Sequence, residues 1–204
     1  MKRQPDLIPR VFDDGEFVSG YVRRHAKLSA AMGKLYADML SEAGLGSGRI
    51  LDLGTGPGGV AIHLARALPQ AQVVGADLAE TALETARSAA RQAGLSGRVC
   101  FEQADAQALP YDKDCFDAVI SLNTLHVVDD PVAMLNEIER VLKPEGVFAV
   151  RLVRRWWLGW LVAILRTGYT AAETRAIVAQ SRLRPAQYRQ GLWWIALGTP
   201  GHRI

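Results

Sequence analysis

Short apolar runs alternate along the chain with longer stretches in which apolar residues recur every three or four positions. This alternation predicts strands and helices in turn, which is typical of an α/β doubly wound, mostly parallel sheet with helices on both faces. The predicted strands are Ile50–Leu53, Val73–Ala76, Val99–Glu102, Phe116–Ser121 and Val147–Val153. The predicted helices between them are Gly59–Leu68, Ala79–Ala93 and Pro131–Leu142, with stops at Pro69, Gly94 and Pro144–Gly146.

Further elements are predicted on either side of this core. Residues Glu16–Ala43 have the spacing of one or two helices placed before the first strand. The positions there that are predicted to face inward are Val18, Tyr21, Val22, Leu28, Leu35, Tyr36, Met39 and Leu40. After the fifth strand, Thr170 and Glu173 form a candidate capping box at the start of a helix. Two extended runs, Gln187–Gln190 and Leu192–Leu197, bring the predicted sheet to seven strands.

Charge is spread unevenly along the chain, although the formal net charge of the 204 residues is only +3. Residues Arg151–Ile204 contain nine arginines and one acid, Glu173, which leaves 15 basic and 20 acidic residues in the preceding part. A basic segment of this kind can serve nucleic acid, an anionic membrane surface or an acidic substrate. We favour arginines that line a substrate cleft.

The cysteines and the apolar runs bear on the cellular compartment. Cys100 and Cys115 are the only two cysteines, and each is expected at the edge of a buried strand, so a reduced cytoplasmic pair is the simplest interpretation. No apolar signal stretch follows Met1–Arg3. The longest apolar run, Trp156–Leu165, is too short to span a bilayer. We therefore expect a soluble cytoplasmic protein.

A glycine-rich segment follows the first predicted strand and is a candidate cofactor loop, in which glycines let a ligand approach the backbone. Its candidate binding residues are Asp52, Gly54, Thr55, Gly56 and Gly58. Together with Gly59 the glycines satisfy GxGxxG, and Asp77 closes the second strand where a carboxylate can bind a ribose diol. A nicotinamide cofactor fits these features as well as S-adenosylmethionine does.

Asp52 separates the two interpretations. It precedes the first glycine by two residues. A carboxylate there attracts the α-ammonium group of S-adenosylmethionine and repels a pyrophosphate. Its alternative role is that of an aspartate that braces the loop.

Several linked segments resemble the class I S-adenosylmethionine-dependent methyltransferases, in their small-molecule branch with the quinone-biosynthesis enzymes. ILDLGTGPGG resembles motif I, VVGADLAE the acidic end of the second strand, FEQADAQALPYDKDCFDAVIS the third acidic contact, and LNEIERVLKPEGVFAV the turn into the fifth strand. The resemblance implies a seven-stranded sheet whose last strand is antiparallel, an N-terminal helical cap and S-adenosylmethionine as cofactor.

The resemblance also implies roles for individual residues. Asp105 and Ala106 would hold the adenine, although Asp105 alone fits a simple turn equally well. Leu78 would pack on the adenine ring, and Asn123 lies where the family places groups beside the sulfonium. Tyr21, with Arg24 and His25, would cover the methionine end; the three are alternatively a helix surface.

His126 is the candidate general base, because imidazole titrates near neutral pH. The alternative is a histidine that only orders the following turn. A strong base is not obligatory, because a methyl-transfer reaction gains much of its rate from alignment of its partners. No metal cluster is predicted.

All five tryptophans lie in the last quarter of the chain, where the family places part of the acceptor pocket. Trp156, Trp157 and Trp160 are the candidate substrate-side residues. At least one of Trp193 and Trp194 is expected in the core, because adjacent strand residues face opposite ways. A second interpretation of Arg154–Leu165 is a peripheral membrane contact.

We therefore predict a single methyltransferase domain, residues 1–204, with a helical cap at 1–45, a cofactor-binding core at 46–153 and a substrate-side segment at 154–204. The predicted reaction is methyl transfer to a small apolar or aromatic acceptor. A nucleic-acid substrate is disfavoured. Residues Asn123–His126 follow the fourth strand, where methyltransferases that act on nucleic-acid bases carry a different sequence motif. The alternatives are a nicotinamide-dependent oxidoreductase and a non-catalytic protein that binds S-adenosylmethionine.

Overall fold

In the part of the chain that the structure describes, seven strands form one sheet in the order β3-β2-β1-β4-β5-β7-β6, and five α-helices accompany it. A computed structural model describes residues 14–155, 163–185 and 187–199. The strands are β1 Arg49–Leu53, β2 Gln72–Asp77, β3 Val99–Gln103, β4 Phe116–Leu122, β5 Leu142–Val153, β6 Gln187–Gln190 and β7 Trp194–Gly198. The helices are α1 Gly15–Glu42, α2 Gly59–Ala67, α3 Glu80–Gln92, α4 Pro131–Val141 and α5 Ala171–Gln180, with a short 3-10 helix at Ala163–Arg166.

The directions of the strands confirm the predicted fold class. Strands β1 to β5 pair in parallel, whereas β7 pairs antiparallel with both β5 and β6. The last strand is thus the single antiparallel one of the seven strands described, and it lies between β5 and β6. The order reverses on either side of β1, where β2 lies to one side and β4 to the other. Ligands of open α/β sheets bind at such a switch point, beyond the carboxyl ends of the strands.

Two hydrophobic clusters cover the two faces of the sheet, because successive residues of each buried strand point to opposite sides. Along β1, Ile50 belongs to the cluster that packs under α1, α2 and α3, whereas Leu51 and Leu53 belong to the cluster under α4 and α5. Strands buried on both faces have continuous apolar runs, which is the pattern that the sequence shows. The predicted capping box of Thr170 and Glu173 is present at α5.

The N-terminal helix α1 corrects part of the predicted inward face. Asp14 caps it by accepting hydrogen bonds from the amides of Glu16 and Phe17. Val22 and Leu28 are 39% and 44% exposed, in contrast to the prediction. A helix of 28 residues is about 42 Å long, so it extends beyond the strands that it covers. Its other end packs firmly, where Tyr36, Met39 and Leu40 are buried.

The C-terminal hairpin begins its second strand later than predicted. β7 starts at Trp194, so Leu192 and Trp193 lie in the turn and are 47% and 44% exposed. Cys100 is exposed and Cys115 is half-buried, and both are free thiols. Within the described ranges, no helix is both long and apolar enough to cross a membrane.

Candidate cofactor site

A cavity of about 270 Å³ opens at the carboxyl ends of the central strands, where the order of the sheet reverses. It is bordered by the loop after β1, the end of β2, the loops after β3 and β4, and one side of α1. The predicted site residues that line it are Tyr21, Asp52, Gly54, Thr55, Gly56, Asp77, Leu78, Asp105, Ala106 and Asn123. Residues far apart in the sequence therefore meet at one cleft.

The glycine loop adopts a backbone that side chains disfavour. Gly54, Gly56 and Gly58 have φ values of 75°, 53° and 78°, in the left-handed region. A Cβ on Gly54 would overlap the side chain of Thr124, whereas a Cβ on Gly56 would meet open space. Gly58 does not line the cavity; it is the N-cap of α2, where its role is to start the helix. Gly56 thus leaves room for a ligand at the backbone.

Asp52 lies on the wall of the cavity and is only 2% exposed. Its Oδ2 accepts a hydrogen bond of 2.7 Å from the Oγ1 of Thr55. Burial raises the pKa of Asp52 to about 6, an effect that Thr55 opposes and that nearby Asp77 reinforces. A buried carboxylate with a raised pKa is stabilised by a cation, so the site suits an ammonium group.

Asp77 ends β2, and its two carboxylate oxygens hold the glycine loop and the residue that precedes α3. Oδ2 accepts a hydrogen bond of 2.7 Å from the amide of Gly56, and Oδ1 accepts one of 3.0 Å from the amide of Ala79. Burial raises the pKa of Asp77, and these amide hydrogen bonds lower it. Each carboxylate oxygen has a further lone pair, so the group can still accept from a diol.

Asp105 and Leu78 form the side of the cavity beyond β2 and β3. The Oδ1 of Asp105 accepts hydrogen bonds from the backbone amide of Gln107 at 2.9 Å and from its Nε2 at 3.0 Å. Both interpretations of Asp105 thus coexist, because it closes a turn and also lines the cavity. Leu78 is 65% exposed, the most exposed of the described large apolar side chains. An apolar side chain presented in this way is suited to a flat ring.

The loop after β4 places Asn123 and His126 differently. His126 is 1% exposed and does not line the cavity, so its role as a general base stays a prediction. Asn123 does line it, with a φ of 61° that turns the chain back at the end of β4. The amide of Asn123 donates a hydrogen bond of 2.7 Å to the carbonyl of Arg151 on β5. The histidine lies outside the site because the turn directs it inward.

Helix α1 contributes fewer residues than predicted. Tyr21 lines the cavity, and burial and the nearby Asp77 both raise its pKa. His25 stacks on Tyr21 with ring centroids 4.0 Å apart, and Arg24 lies over the ring of Phe17; neither lines the cavity. Ser29 lines it about two turns further along α1, although only its helical spacing from Tyr21 could have indicated this.

Several further lining residues were not predicted. They follow recognised strands, but nothing in their type identifies them as ligand contacts. They include Pro57, Ala104, Gln107, Thr124, Val127, Val128 and Asp129. Position after a strand was the only signal that would have found them.

The C-terminal predictions have mixed outcomes. Trp156, Trp157 and Trp160 lie outside the described residues. Trp194 is half-buried and packs against the core, whereas Trp193 is exposed. No arginine of the described residues borders this cavity, so the expectation that arginines line a substrate cleft stays a prediction. Several of them instead contact the protein locally, as in the pairs Arg155–Glu173, Arg182–Glu139 and Arg175–Tyr188.

Metal-ligating clusters were not expected, and residues 14–155, 163–185 and 187–199 contain no group of three His, Cys, Asp or Glu residues that could hold an ion.

Residues 46–191 match a protein family described as a methyltransferase domain. The chain belongs to this methyltransferase family. The predicted relationship to class I methyltransferases is therefore confirmed. The match covers the glycine loop, Asp77, Asp105 and the C-terminal hairpin as far as Gly191.

Two curated relatives illustrate the similarity. The ubiquinone/menaquinone biosynthesis C-methyltransferase UbiE of Desulfotalea psychrophila is 41% identical over 101 residues, which cover 50% of this chain and 39% of that protein. The demethylmenaquinone methyltransferase of Clavibacter sepedonicus is 39% identical over 148 residues, covering 72% of this chain and 58% of that protein. The chain thus spans about half the length of the curated relatives that it matches.

Two solved structures share the fold. A SAM-dependent methyltransferase from Aquifex aeolicus superposes with a TM-score of 0.75 at 20% identity, covering 91% of this chain and 97% of that one. The [4+2]-cyclase SpnF superposes with a TM-score of 0.61 at 31% identity, covering 71% of this chain and 56% of that one. Their common architecture agrees with the sheet and helix arrangement described above.

Proposed function

We propose that the chain binds S-adenosylmethionine in the cavity after β1 and transfers its methyl group to a small apolar or aromatic acceptor. The observation that carries the proposal is Asp52, a buried carboxylate beside a left-handed glycine loop. The cofactor supplies an electrophilic methyl group on a sulfonium when it is bound. Family membership and the fit of the cavity support this function.

The roles of the lining residues follow from their chemistry. Asp52 would hold the α-ammonium group, because its carboxylate is buried and its pKa is raised to about 6 without a cation. Asp77 would bind the ribose hydroxyls, and Leu78 would pack on the adenine. Asp105 would accept from the adenine amino group, and the amide of Ala106 would donate to a ring nitrogen. Asn123 and Tyr21 would border the methionine part.

The reaction would depend mainly on alignment and exclusion of water. The described lining residues include no histidine, lysine, arginine or cysteine. An acceptor that is already activated needs no strong base, because an in-line displacement gains from holding its two partners in register. The names of the curated relatives also point to small acceptors, quinone precursors among them.

A direct test compares ligands and then turnover. S-adenosylhomocysteine at saturating concentration should raise Tm, and NAD(P) should not. Methyl transfer from labelled S-adenosylmethionine is then measured with a panel of hydroquinones, phenols and aromatic or fatty acids. Stabilisation by NAD(P) alone would refute the proposal in favour of an oxidoreductase.

A second candidate is a protein that binds the cofactor but does not transfer its methyl group. The specific observation in its favour is the [4+2]-cyclase, whose structure resembles this chain at 31% identity. Tight binding of S-adenosylhomocysteine, with no labelled product from any acceptor of the panel, would support this candidate.

The organisation into a cap at 1–45, a core at 46–153 and a substrate-side segment at 154–204 is part of the proposal. Helix α1 contributes Tyr21 and Ser29 to the cavity, which supports the role of the cap. The acceptor would enter on the side of β5 and α1, toward the start of the C-terminal segment.

A further inference from the structure

Arg151 lies one strand away from the cofactor cavity, near the carboxyl end of β5. It pairs with Leu122 of β4 in the sheet, and its carbonyl oxygen accepts the hydrogen bond from the amide of Asn123. Leu122 and Asn123 both line the cavity. The side chain of Arg151 is therefore carried by the strand that adjoins the proposed cofactor site on the acceptor side.

The guanidinium of Arg151 is half-buried, and no carboxylate of the described residues neutralises its charge. It lies 4.2 Å from the centroid of the Trp194 ring, and its Nη1 is 3.5 Å from the Sδ of Met32, a weak acceptor. Burial lowers the pKa of Arg151, although a guanidinium stays charged in proteins. No acid of the described ranges forms an ion pair with it, whereas the more buried Arg155 pairs with Glu173.

Tyr36 supplies a second group with unused hydrogen-bonding capacity. It lies on α1 and is 1% exposed, and its hydroxyl finds no hydrogen-bond partner within the part of the chain that the structure describes. Burial is the main cause that raises the pKa of Tyr36. The nearby guanidinium of Arg151 lowers this pKa, and the nearby carboxylate of Asp52 raises it. Tyr36 thus stays protonated and can donate. A buried donor without a partner is costly, which indicates that a ligand completes it.

We propose that Arg151 and Tyr36 bind a carboxylate group of the methyl acceptor. This inference rests on the proposed function and names the acceptor class of the same site. A guanidinium offers a planar fork that fits a carboxylate, and the tyrosine hydroxyl adds a third donor. Asp52, which is also near Tyr36, repels an anion and attracts the ammonium group of the cofactor. The carboxylate of Asp52 therefore favours the ammonium group of the cofactor, whereas the guanidinium of Arg151 favours the carboxylate of the acceptor.

The test uses two isosteric probes, 2-naphthoate and 2-naphthamide, titrated into the protein saturated with S-adenosylhomocysteine. The wild-type protein should bind the carboxylate at least about tenfold more tightly than the amide. Arg151→Gln should abolish that preference, Arg151→Lys should retain part of it, and Tyr36→Phe should reduce it several-fold. Arg175→Gln is the matched control, because Arg175 also lies over an aromatic ring, that of Tyr188, but on the opposite face of the sheet from Tyr36.

The other measurement is the affinity of each variant for S-adenosylhomocysteine alone, which carries its own carboxylate. An unchanged affinity in Arg151→Gln, with Tm near that of Arg151→Lys, supports a site for the acceptor. A tenfold loss would show that the pair binds the cofactor instead and would overturn the inference. Equal binding of both probes to the wild-type complex would overturn it as well. If S-adenosylhomocysteine itself failed to bind, the proposed function would fail first.

Discussion

The carboxylate of Asp77 accepts a hydrogen bond of 2.7 Å from the amide of Gly56, which ties the end of β2 directly to the glycine loop after β1. One side chain thereby orders the loop and leaves lone pairs for a ribose. Its removal should weaken the site in both ways.

We expect Asp77→Ala to lower the affinity for S-adenosylhomocysteine at least about tenfold, since hydrogen bonds to a charged group contribute about 1.5–3 kcal/mol. Titration calorimetry gives the affinity, and circular dichroism checks the fold. Asp38→Ala is the control, because Asp38 is exposed and pairs with Lys34 on the same helix, α1. An affinity equal to that of the wild type would contradict the ribose role.

The affinity for S-adenosylhomocysteine should rise with pH through about 6. Asp52 of the ligand-free protein has its pKa raised to about 6, so below that pH it is protonated and must release a proton to bind an ammonium group. Affinity should therefore fall by up to about tenfold per pH unit below 6. Calorimetry in two buffers of different ionisation enthalpy measures the released proton. In Asp52→Asn, the pH dependence and the proton release should both disappear.

The same residue predicts the pH dependence of stability. The pKa of Asp52 is raised on folding from 3.8, so the folded state binds the proton more tightly than the unfolded chain. The contribution of this proton to the free energy of unfolding is complete below the pKa of the unfolded chain. It is lost as the pH rises through the folded-state pKa of about 6. Relative to Asp52→Asn, the free energy of unfolding of the wild type should decrease across this window. Urea unfolding at closely spaced pH values measures the difference, and parallel curves would contradict it.

Gly54→Ala should destabilise the protein more than its backbone strain alone explains. The left-handed φ costs about 1–2 kcal/mol, and the overlap with Thr124 adds about 1–3 kcal/mol. Gly44→Ala isolates the first effect, because Gly44 has the same φ of 75° and open space around its Cα. The difference between the two variants in urea unfolding is the cost of the close approach. Equal losses would mean that Thr124 moves aside freely.

Leu78→Ala should leave stability within about 0.5 kcal/mol of the wild type, because the side chain is exposed. It should weaken S-adenosylhomocysteine binding about tenfold, since covering a leucine contributes about 1.5–3 kcal/mol. Leu192→Ala removes a leucine that is also exposed, at 47%, in the C-terminal hairpin. That control should change neither quantity.

His126→Gln should reduce stability without changing the shape of the pH profile of methyl transfer. The imidazole is buried and lies away from the cavity lining, so its loss affects packing and local contacts. Tm and the pH profile of kcat/KM distinguish the two roles. Loss of a limb of the profile near neutral pH would restore His126 as a base.

The carboxylates of the site were predictable because a simple rule places them. Asp52 and Asp77 end neighbouring parallel strands, and such ends converge at one edge of the sheet. The placement of His126 outside the cavity lining could not be predicted, since strand periodicity ends at Leu122 and the left-handed Asn123 redirects the chain after it. The predictions for Val22 and Leu28 were wrong because hydrophobic periodicity identifies the apolar face of a helix. It does not show how much of that face the neighbouring elements cover.

The approach of Arg151 to Tyr36 and Trp194 could not be predicted from local sequence. It requires the register of β5 against β4, the insertion of β7 beside β5, and the rotation of α1 about its axis. Each is decided by packing between distant parts of the sequence. No pattern within one element reports them.

The insertion of β7 between β5 and β6 also has a consequence during synthesis. The outer edge of β5 stays open until Trp194–Gly198 has emerged from the ribosome, so a nascent chain exposes unpaired backbone groups beside a finished parallel sheet. Chains that stall or are truncated before this strand should bind chaperones through the unpaired edge of β5, although the strands that form the cofactor cavity are already complete.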